Sequence, residues 1–109
     1  MFLSRYKLVF FSPTANTTAI LDHLFAKFPE HVGKVGKYEK VAFRSHGTGQ
    51  FQPTTGARPA IGTVGVLEFV EEDRVEVPVI DRVRDVVQEL KAVHPYEEVA
   101  YDVYRVEDF

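Results

Sequence analysis

Hydrophobic positions along the chain change period several times, and each change marks an element. Tyr6 to Phe11 is an unbroken apolar, β-branched and aromatic run ended by Ser12-Pro13, the signature of a buried strand. Leu21, Leu24, Phe25 and Phe28 then recur at helical spacing, with Asp22, His23 and Lys27 between them. Thr14, Asn16 and Thr17 are candidate caps for this helix, and Pro29 stops it. After a turn marked by Gly33 and Gly36, Tyr38 to Ser45 alternates as a second strand. Residues 46–62, with four Gly and two Pro, read as a long loop or an irregular hairpin tip that carries Phe51 and Ile61. Val64 to Val79 alternates again; Glu71-Glu72-Asp73 interrupts it, which suggests a bulge, and Pro78 belongs at a strand end or edge. Asp81 is a candidate N-cap for a second helix whose apolar stripe is Val83, Val86, Val87, Leu90 and Val93. Pro95 ends that helix, and Val99 to Val106 is the last strand.

The order β-α-β-β-α-β predicts an α+β domain of the ferredoxin-like type: an antiparallel sheet with both helices on one face, formed by residues 1–109 as a single unit. Strand residues of both parities are apolar. Leu8 and Phe10 alternate with Val9 and Phe11, and Val64 and Val66 with Leu67 and Phe69. A sheet apolar on both faces must bury both, so the face without helices is expected to be covered by another copy of the chain.

Composition narrows the class. Apolar residues make up 45% and charged residues 27%, as in a folded globular protein. Nine Phe and five Tyr supply many rings for a small core, some of them suited to subunit contacts. The absence of Cys excludes disulfides and thiolate chemistry. No apolar run approaches membrane-spanning length, and the first residues lack the order of a signal peptide, so no membrane partner and a cytoplasmic location are expected. The net charge of −3 is unevenly divided: residues 1–63 carry +5 and residues 64–109 carry −8. The basic residues are spaced singly rather than in a run, which argues against nucleic acid and for neutralisation across one fold or between subunits.

Three segments together carry a family resemblance: Tyr6-Lys7-Leu8-Val9-Phe10-Phe11 with Pro13; Gly36-Lys37-Tyr38 leading to Phe43-Arg44-Ser45-His46-Gly47-Thr48-Gly49-Gln50-Phe51-Gln52-Pro53; and His94-Pro95-Tyr96-Glu97-Glu98 with Ala100-Tyr101-Asp102-Val103-Tyr104. They resemble the PII-like and CutA-like domain inserted in bacterial NIF-three-like proteins, the dinuclear-metal-centre hexamers also called GTP cyclohydrolase I type 2 homologues, in its short stand-alone form. The resemblance implies a homotrimer whose sheets face one another, with residues 46–62 in the region that PII proteins use for effectors and protein partners. It also implies that the parent's two metals are held by flanking domains, outside these 109 residues, so the parent's hydrolase or cyclohydrolase activity is not carried over. Two places depart from the family pattern. Phe28-Pro29-Glu30-His31 stands where a small Gly-rich stretch is usual, and Val41-Ala42 where many relatives have Cys-Ser.

Candidate chemistry gathers at two motifs. His94, with Glu97, Glu98 or His46, has the donor types for Zn or a similar divalent ion, as expected of a CutA-like metal binder; the alternative is that His94 caps the second helix. Glu97 and Glu98, adjacent on an extended segment, point apart, and a salt bridge to Arg44 or Arg105 is the expected role. Gly47-Thr48-Gly49 reads either as a backbone cradle for an anion or nucleotide, with Arg44 and Arg58 as cations, or as a bulged hairpin. Tyr96, Tyr101 and Tyr104 are expected in the core or at the trimer interface, and His23 and His31 on the surface. The preferred expectation is a non-enzymatic, trimeric small-ligand-binding or regulatory module. Its ligand residues would be Arg44, His46, Gly47, Thr48, Gly49, Arg58 and Tyr96, in a cleft between subunits. No cofactor is required beyond a possible divalent ion. A small enzyme acting on a phosphorylated metabolite is the third reading, and no nucleophile–base pair is legible to support it.

Overall fold

The computed structural model describes residues 3–109. Six elements follow in the order β1 (Arg5–Pro13), α1 (Thr14–Lys27), β2 (Phe43–Phe51), β3 (Glu68–Ile80), α2 (Val83–Val93) and β4 (Tyr101–Val106). The four strands form one sheet in the order β2-β3-β1-β4, with every pair antiparallel. Leu8, Phe10, Val75, Val77 and Val79 point from one face of this sheet into a core completed by Ile20, Leu21, Leu24 and Phe25 of α1 and Val86 and Leu90 of α2. The fold is therefore the expected α+β arrangement, with both helices on one face.

Element bounds differ from the sequence pattern in instructive places. β2 begins at Phe43 and runs through the Gly-rich segment to Phe51, so residues 46–51, expected in a loop, are strand. They pair without interruption, from Phe43 opposite Glu76 to Phe51 opposite Glu68. Glu71-Glu72-Asp73 forms no bulge: the β2–β3 ladder keeps constant register through all three, and the β1–β3 ladder does so as far as Glu72, where it ends. Val64 to Leu67 belongs to the turn before β3, so its alternation says nothing about sheet faces.

Pro78 lies within β3, opposite Lys7, where β2 has already ended. The segment around Val32 takes the place of β2 there: the Gly33 N–H donates to the Pro78 carbonyl (2.9 Å), and the Ile80 N–H to the His31 carbonyl (2.7 Å). The Gly33 carbonyl accepts from Val41 N–H instead (2.8 Å), so the donor that proline lacks is not needed. Gly33 itself has φ +75°, and a Cβ there would meet the Phe25 ring at 2.5 Å.

Neither helix has its expected N-cap. Pro13 occupies the N-cap of α1, which places Thr14, Asn16 and Thr17 inside the helix. Thr17 is buried, its hydroxyl 2.7 Å from that of Ser12 and within reach of the Pro13 carbonyl at 3.4 Å. At α2 the N-cap is Arg82, and Asp81 and Arg82 both have positive φ (51° and 46°), which turns the chain sharply out of β3. Asp81 instead ties down the start of β1, accepting the Ser4 N–H at 2.9 Å while its own N–H donates to the Ser4 carbonyl at 2.8 Å.

The two halves of the chain neutralise each other within the fold. Lys7 pairs with Glu76 (3.2 Å), Arg44 with Asp73 (3.7 Å), and Lys27 and His23 with Glu89 (3.3 and 2.6 Å). His23 and His31 are accordingly not idle surface groups: His23 joins α1 to α2, and His31 Nδ1 lies 2.8 Å from the Ile80 carbonyl oxygen. The molecule is elongated, 50 × 24 × 23 Å, with a radius of gyration of 15.0 Å. A compact chain of this length has about 13 Å. The cause is the β2–β3 ribbon, which runs on past the end of β1 at the Pro13–Glu72 pair.

Candidate functional site

Strand parity divides the second sequence motif between the two faces of the sheet. In β2, Arg44, His46 and Thr48 pair with Val75, Asp73 and Glu71 and lie on the helix side. Gly47, Gly49 and Phe51 lie on the open side, with Glu72 of β3 and Phe11 of β1. The two sets do different things.

On the helix side, His46 joins β2 and β3 to the start of α1. Its Nδ1 is 3.1 Å from both Asp73 Oδ1 and the Thr14 hydroxyl, and its Nε2 is 2.6 Å from Glu71 Oε2. The hydrogen bonds to Asp73 and Glu71 hold the His46 pKa above its ordinary value. Burial pushes the Asp73 carboxyl up, but hydrogen bonds from Thr17 and His46 and the Arg44 charge outweigh it, and its pKa is lowered. This is a bonded network rather than a pocket.

On the open side there is a cleft of about 530 Å³ at the end of β1. Its floor is Phe11, Gly49, Phe51 and Glu72. One wall is the loop after β2, through Pro53, Ala57, Pro59 and Ile61; the other is the corner between α2 and β4, through Tyr96, Glu97, Glu98 and Ala100. The loop is closed on itself by Gly65 N–H to Pro53 carbonyl (2.8 Å) and fixed to the corner by Arg58 N–H to Glu97 Oε1 (2.7 Å).

The corner is built by His94. Its backbone N–H donates to Leu90 as the C-cap of α2 (3.0 Å), and its buried ring bridges two chain segments. Nε2–H donates to the Phe11 carbonyl (2.7 Å) while Nδ1 accepts the Tyr96 N–H (3.1 Å). That pattern requires a neutral imidazole, and burial lowers its pKa despite the Phe11 carbonyl and the Glu72 charge. Tyr96 then reaches across the cleft and donates its hydroxyl to Glu72 Oε2 (3.1 Å), its ring centroid 6.0 Å from that of Phe51 and 5.1 Å from that of His94. Burial, with the Glu72 charge and hydrogen bond, pushes the Tyr96 pKa up to about 12, so the phenol stays a neutral donor. Glu72 reaches Tyr96 by crossing Gly49, where a Cβ would coincide with the Glu72 carboxylate.

Several expectations are corrected by this geometry. Gly47-Thr48-Gly49 is regular strand with neither glycine at positive φ, so its N–H groups alternate in direction instead of converging on an anion. Arg44 is engaged with Asp73 on the other face, and Arg58 contributes its backbone alone. Of the expected ligand residues, Gly49 and Tyr96 line the cleft; Arg44, His46, Gly47, Thr48 and Arg58 are not among its walls. His94, Glu97, Glu98 and His46 do not fit a shared divalent ion. Both ring nitrogens of His94 are engaged, Glu97 holds the loop, and His46 is bound to Glu71 and Asp73. Among the described residues no three His, Asp or Glu converge as metal ligands. Glu97 and Glu98 precede β4 rather than lie on it, and they pair with neither Arg44 nor Arg105; Arg105 instead donates to the Tyr6 hydroxyl at 3.4 Å. Glu72, absent from the expected set, lies in an acidic run that reads as a break in a strand, although the strand period on either side of it gives its face.

The chain is 42% identical over 102 residues to the GTP cyclohydrolase 1 type 2 homologue of Halalkalibacterium halodurans, and 49% identical over 76 residues to that of Bacillus subtilis. These matches cover 93% and 69% of this chain but 27% and 20% of the relatives. The chain is homologous to one segment of the GTP cyclohydrolase 1 type 2 homologues. It spans about a quarter of the length of these curated relatives. The corresponding segment of a Bacillus cereus protein related to NIF3 superposes with a TM-score of 0.79 at 34% identity, over 99% of this chain and 27% of that one. The divalent ion tolerance protein CutA1 of Ehrlichia chaffeensis shares the fold at a TM-score of 0.67 and 12% identity, covering 100% of this chain and 87% of that one. No family model matches the chain.

Proposed function

We propose that this chain is a ligand-binding module, without chemistry of its own, that takes a small molecule in the cleft between the β2–β3 ribbon and the His94–Ala100 corner. The cleft carries the reading. Its size is that of small-molecule sites, it is largely apolar, and it is built from bonded elements rather than loose ends. Among the described residues no buried side-chain polar atom lacks a partner, which suits a preformed site. Tyr96 is tied to Glu72, and its phenol is no base near neutral pH. The test is protein-observed NMR against a set of small aromatic and aliphatic molecules. Shifts confined to Gly49, Phe51, Tyr96 and the 52–62 loop are expected, and a set that moves none of them overturns the reading.

The module is further proposed to work as the homotrimer that its family resemblance implies. Support comes from the outer edge of β2, unpaired in the sheet order, and from exposed Phe43 and Tyr104 on the open face. Sedimentation equilibrium is expected to give three chains per particle; a monomer at all concentrations rejects the assembly while leaving the cleft intact.

A further inference from the structure

The charge on the cleft has one sign. Sixteen residues line it, and its ionisable groups other than the Tyr96 phenol are the carboxylates of Glu72, Glu97 and Glu98; no Lys, Arg or His is among them. Arg74, on the same face as Glu72, lies over the Phe11 ring at 5.9 Å and is paired with Glu76 at 3.7 Å; it is not among the lining residues. Arg58 on the loop is exposed and gives the cleft corner a backbone N–H alone. Glu72 spends one oxygen on Tyr96, leaving most of the acceptor capacity of an ionised carboxylate free. Glu98 makes no hydrogen bond or ion pair among the described residues. The remaining walls are rings and aliphatic groups, with Phe51 and Tyr96 tilted by 58° to each other at 6.0 Å.

We infer that the cleft takes an organic cation, a small alkyl- or arylalkyl-ammonium whose charge faces Glu72 and Glu98 while its carbon skeleton lies against Phe51, Tyr96 and the Pro-rich loop. This deepens the ligand-binding reading of the same cleft and rests on it. A cation there gains twice: from the carboxylates in a partly apolar surround, and from the negative faces of the aromatic rings. An anion, including a phosphorylated metabolite, would meet two or three like charges with no counter-charge among the lining residues, which costs affinity directly. The sign is opposite to the one expected from Arg44 and Arg58: strand parity turns Arg44 to the helix side, where it pairs with Asp73, and Arg58 meets the corner through its backbone N–H.

The experiment compares three probes of one shape by NMR titration of the full chain: benzyltrimethylammonium, benzyl alcohol and benzoate. The cation is expected to bind at the cleft at least about fivefold more tightly than the neutral probe, with benzoate weakest. Glu72→Gln retains an acceptor for Tyr96 and removes the charge; it is expected to abolish most of the preference for the cation. Glu98→Gln, at an exposed position, is expected to lower it in part, and it keeps the test valid if Glu72→Gln disturbs the fold. Neutral or anionic probe binding at the cleft as tightly as the cation overturns the charge assignment and leaves the ligand-binding reading standing. No cleft shift with any of the three overturns both.

Discussion

Gly49 is required for room rather than for backbone freedom. Its dihedrals are those of a strand, but Glu72 crosses the space a Cβ would fill on the way to Tyr96. Gly49→Ala is expected to cost about 1–3 kcal/mol in urea unfolding, as overpacking does. Glu72→Ala in the same background should recover a large part, because the clashing group is gone; strictly additive losses would show that the two do not interact. The two motif histidines separate by protonation. His46, raised by Asp73 and Glu71, contributes stability that is present below about 6.5 and is lost as pH rises through its folded value. His94, lowered by burial, acts in the opposite sense: the unfolded chain takes up the proton first, so stability falls as pH drops below about 6.5 toward the lowered folded value. Histidine NMR titration should therefore place the His46 midpoint above 6.5 and that of His94 below it, and the reverse order would refute both environments. At this scale the motif places His94 at the end of α2, where its backbone N–H makes the cap and its ring bonds Phe11 and Tyr96 instead of the helix carbonyls. Glu72 is not legible locally, because its partner Tyr96 is 24 residues away in the chain.

At the scale of elements, periodicity identified the helices well. The apolar stripe of α2 is the Val83–Val93 helix, and its fully buried members are Val86 and Leu90. Leu90→Ala is expected to cost about 2–5 kcal/mol, and Val87→Ala at the half-buried margin clearly less, about 1 kcal/mol, measured by chemical denaturation. Equal losses would mean that the stripe faces otherwise. β2 was the element least legible. Gly47 and Gly49 depress strand propensity, and the segment looked like a loop, but pairing with β3 along all nine residues supplies what the local sequence lacks. The same override explains Glu71-Glu72-Asp73, where charges stand in unbroken strand because each has a partner: Glu71 and the buried Asp73 bond His46, and Glu72 accepts from Tyr96. Pro78 lies inside the central strand β3 rather than at a strand end or edge; it is tolerated because β2 has ended beside it and the chain at Gly33 asks for no donor.

For the whole molecule, apolar strand residues of both parities call for a second copy to cover the open face. Structure narrows it. Leu67 and Val64 are not in a strand, and the open face mixes Phe43, Phe11 and Tyr104 with the Lys7–Glu76 pair, Arg74 and Asp102. What remains is a half-apolar face beside an unpaired edge, in a molecule stretched by its own ribbon. If that face is buried in the proposed trimer, Tyr104→Asp, exposed in the single chain, is expected to leave the fold unchanged by circular dichroism and shift sedimentation equilibrium toward the monomer. An unshifted trimer would place the interface elsewhere. Among the described residues no helix is long and apolar enough to cross a membrane.

The sequence by itself determined the order of elements, the α+β class, the helical stripes and the two motifs that matter, because period and punctuation are local properties of the chain. Tertiary structure alone decided which residues of those motifs meet. The face on which a strand residue lies follows from its register with β3, and a shift of one residue would exchange the Arg44–His46–Thr48 set with Gly47, Gly49 and Phe51. That register sends the basic and imidazole groups to the helix side and brings Glu72, Phe51 and Tyr96 together around the cleft.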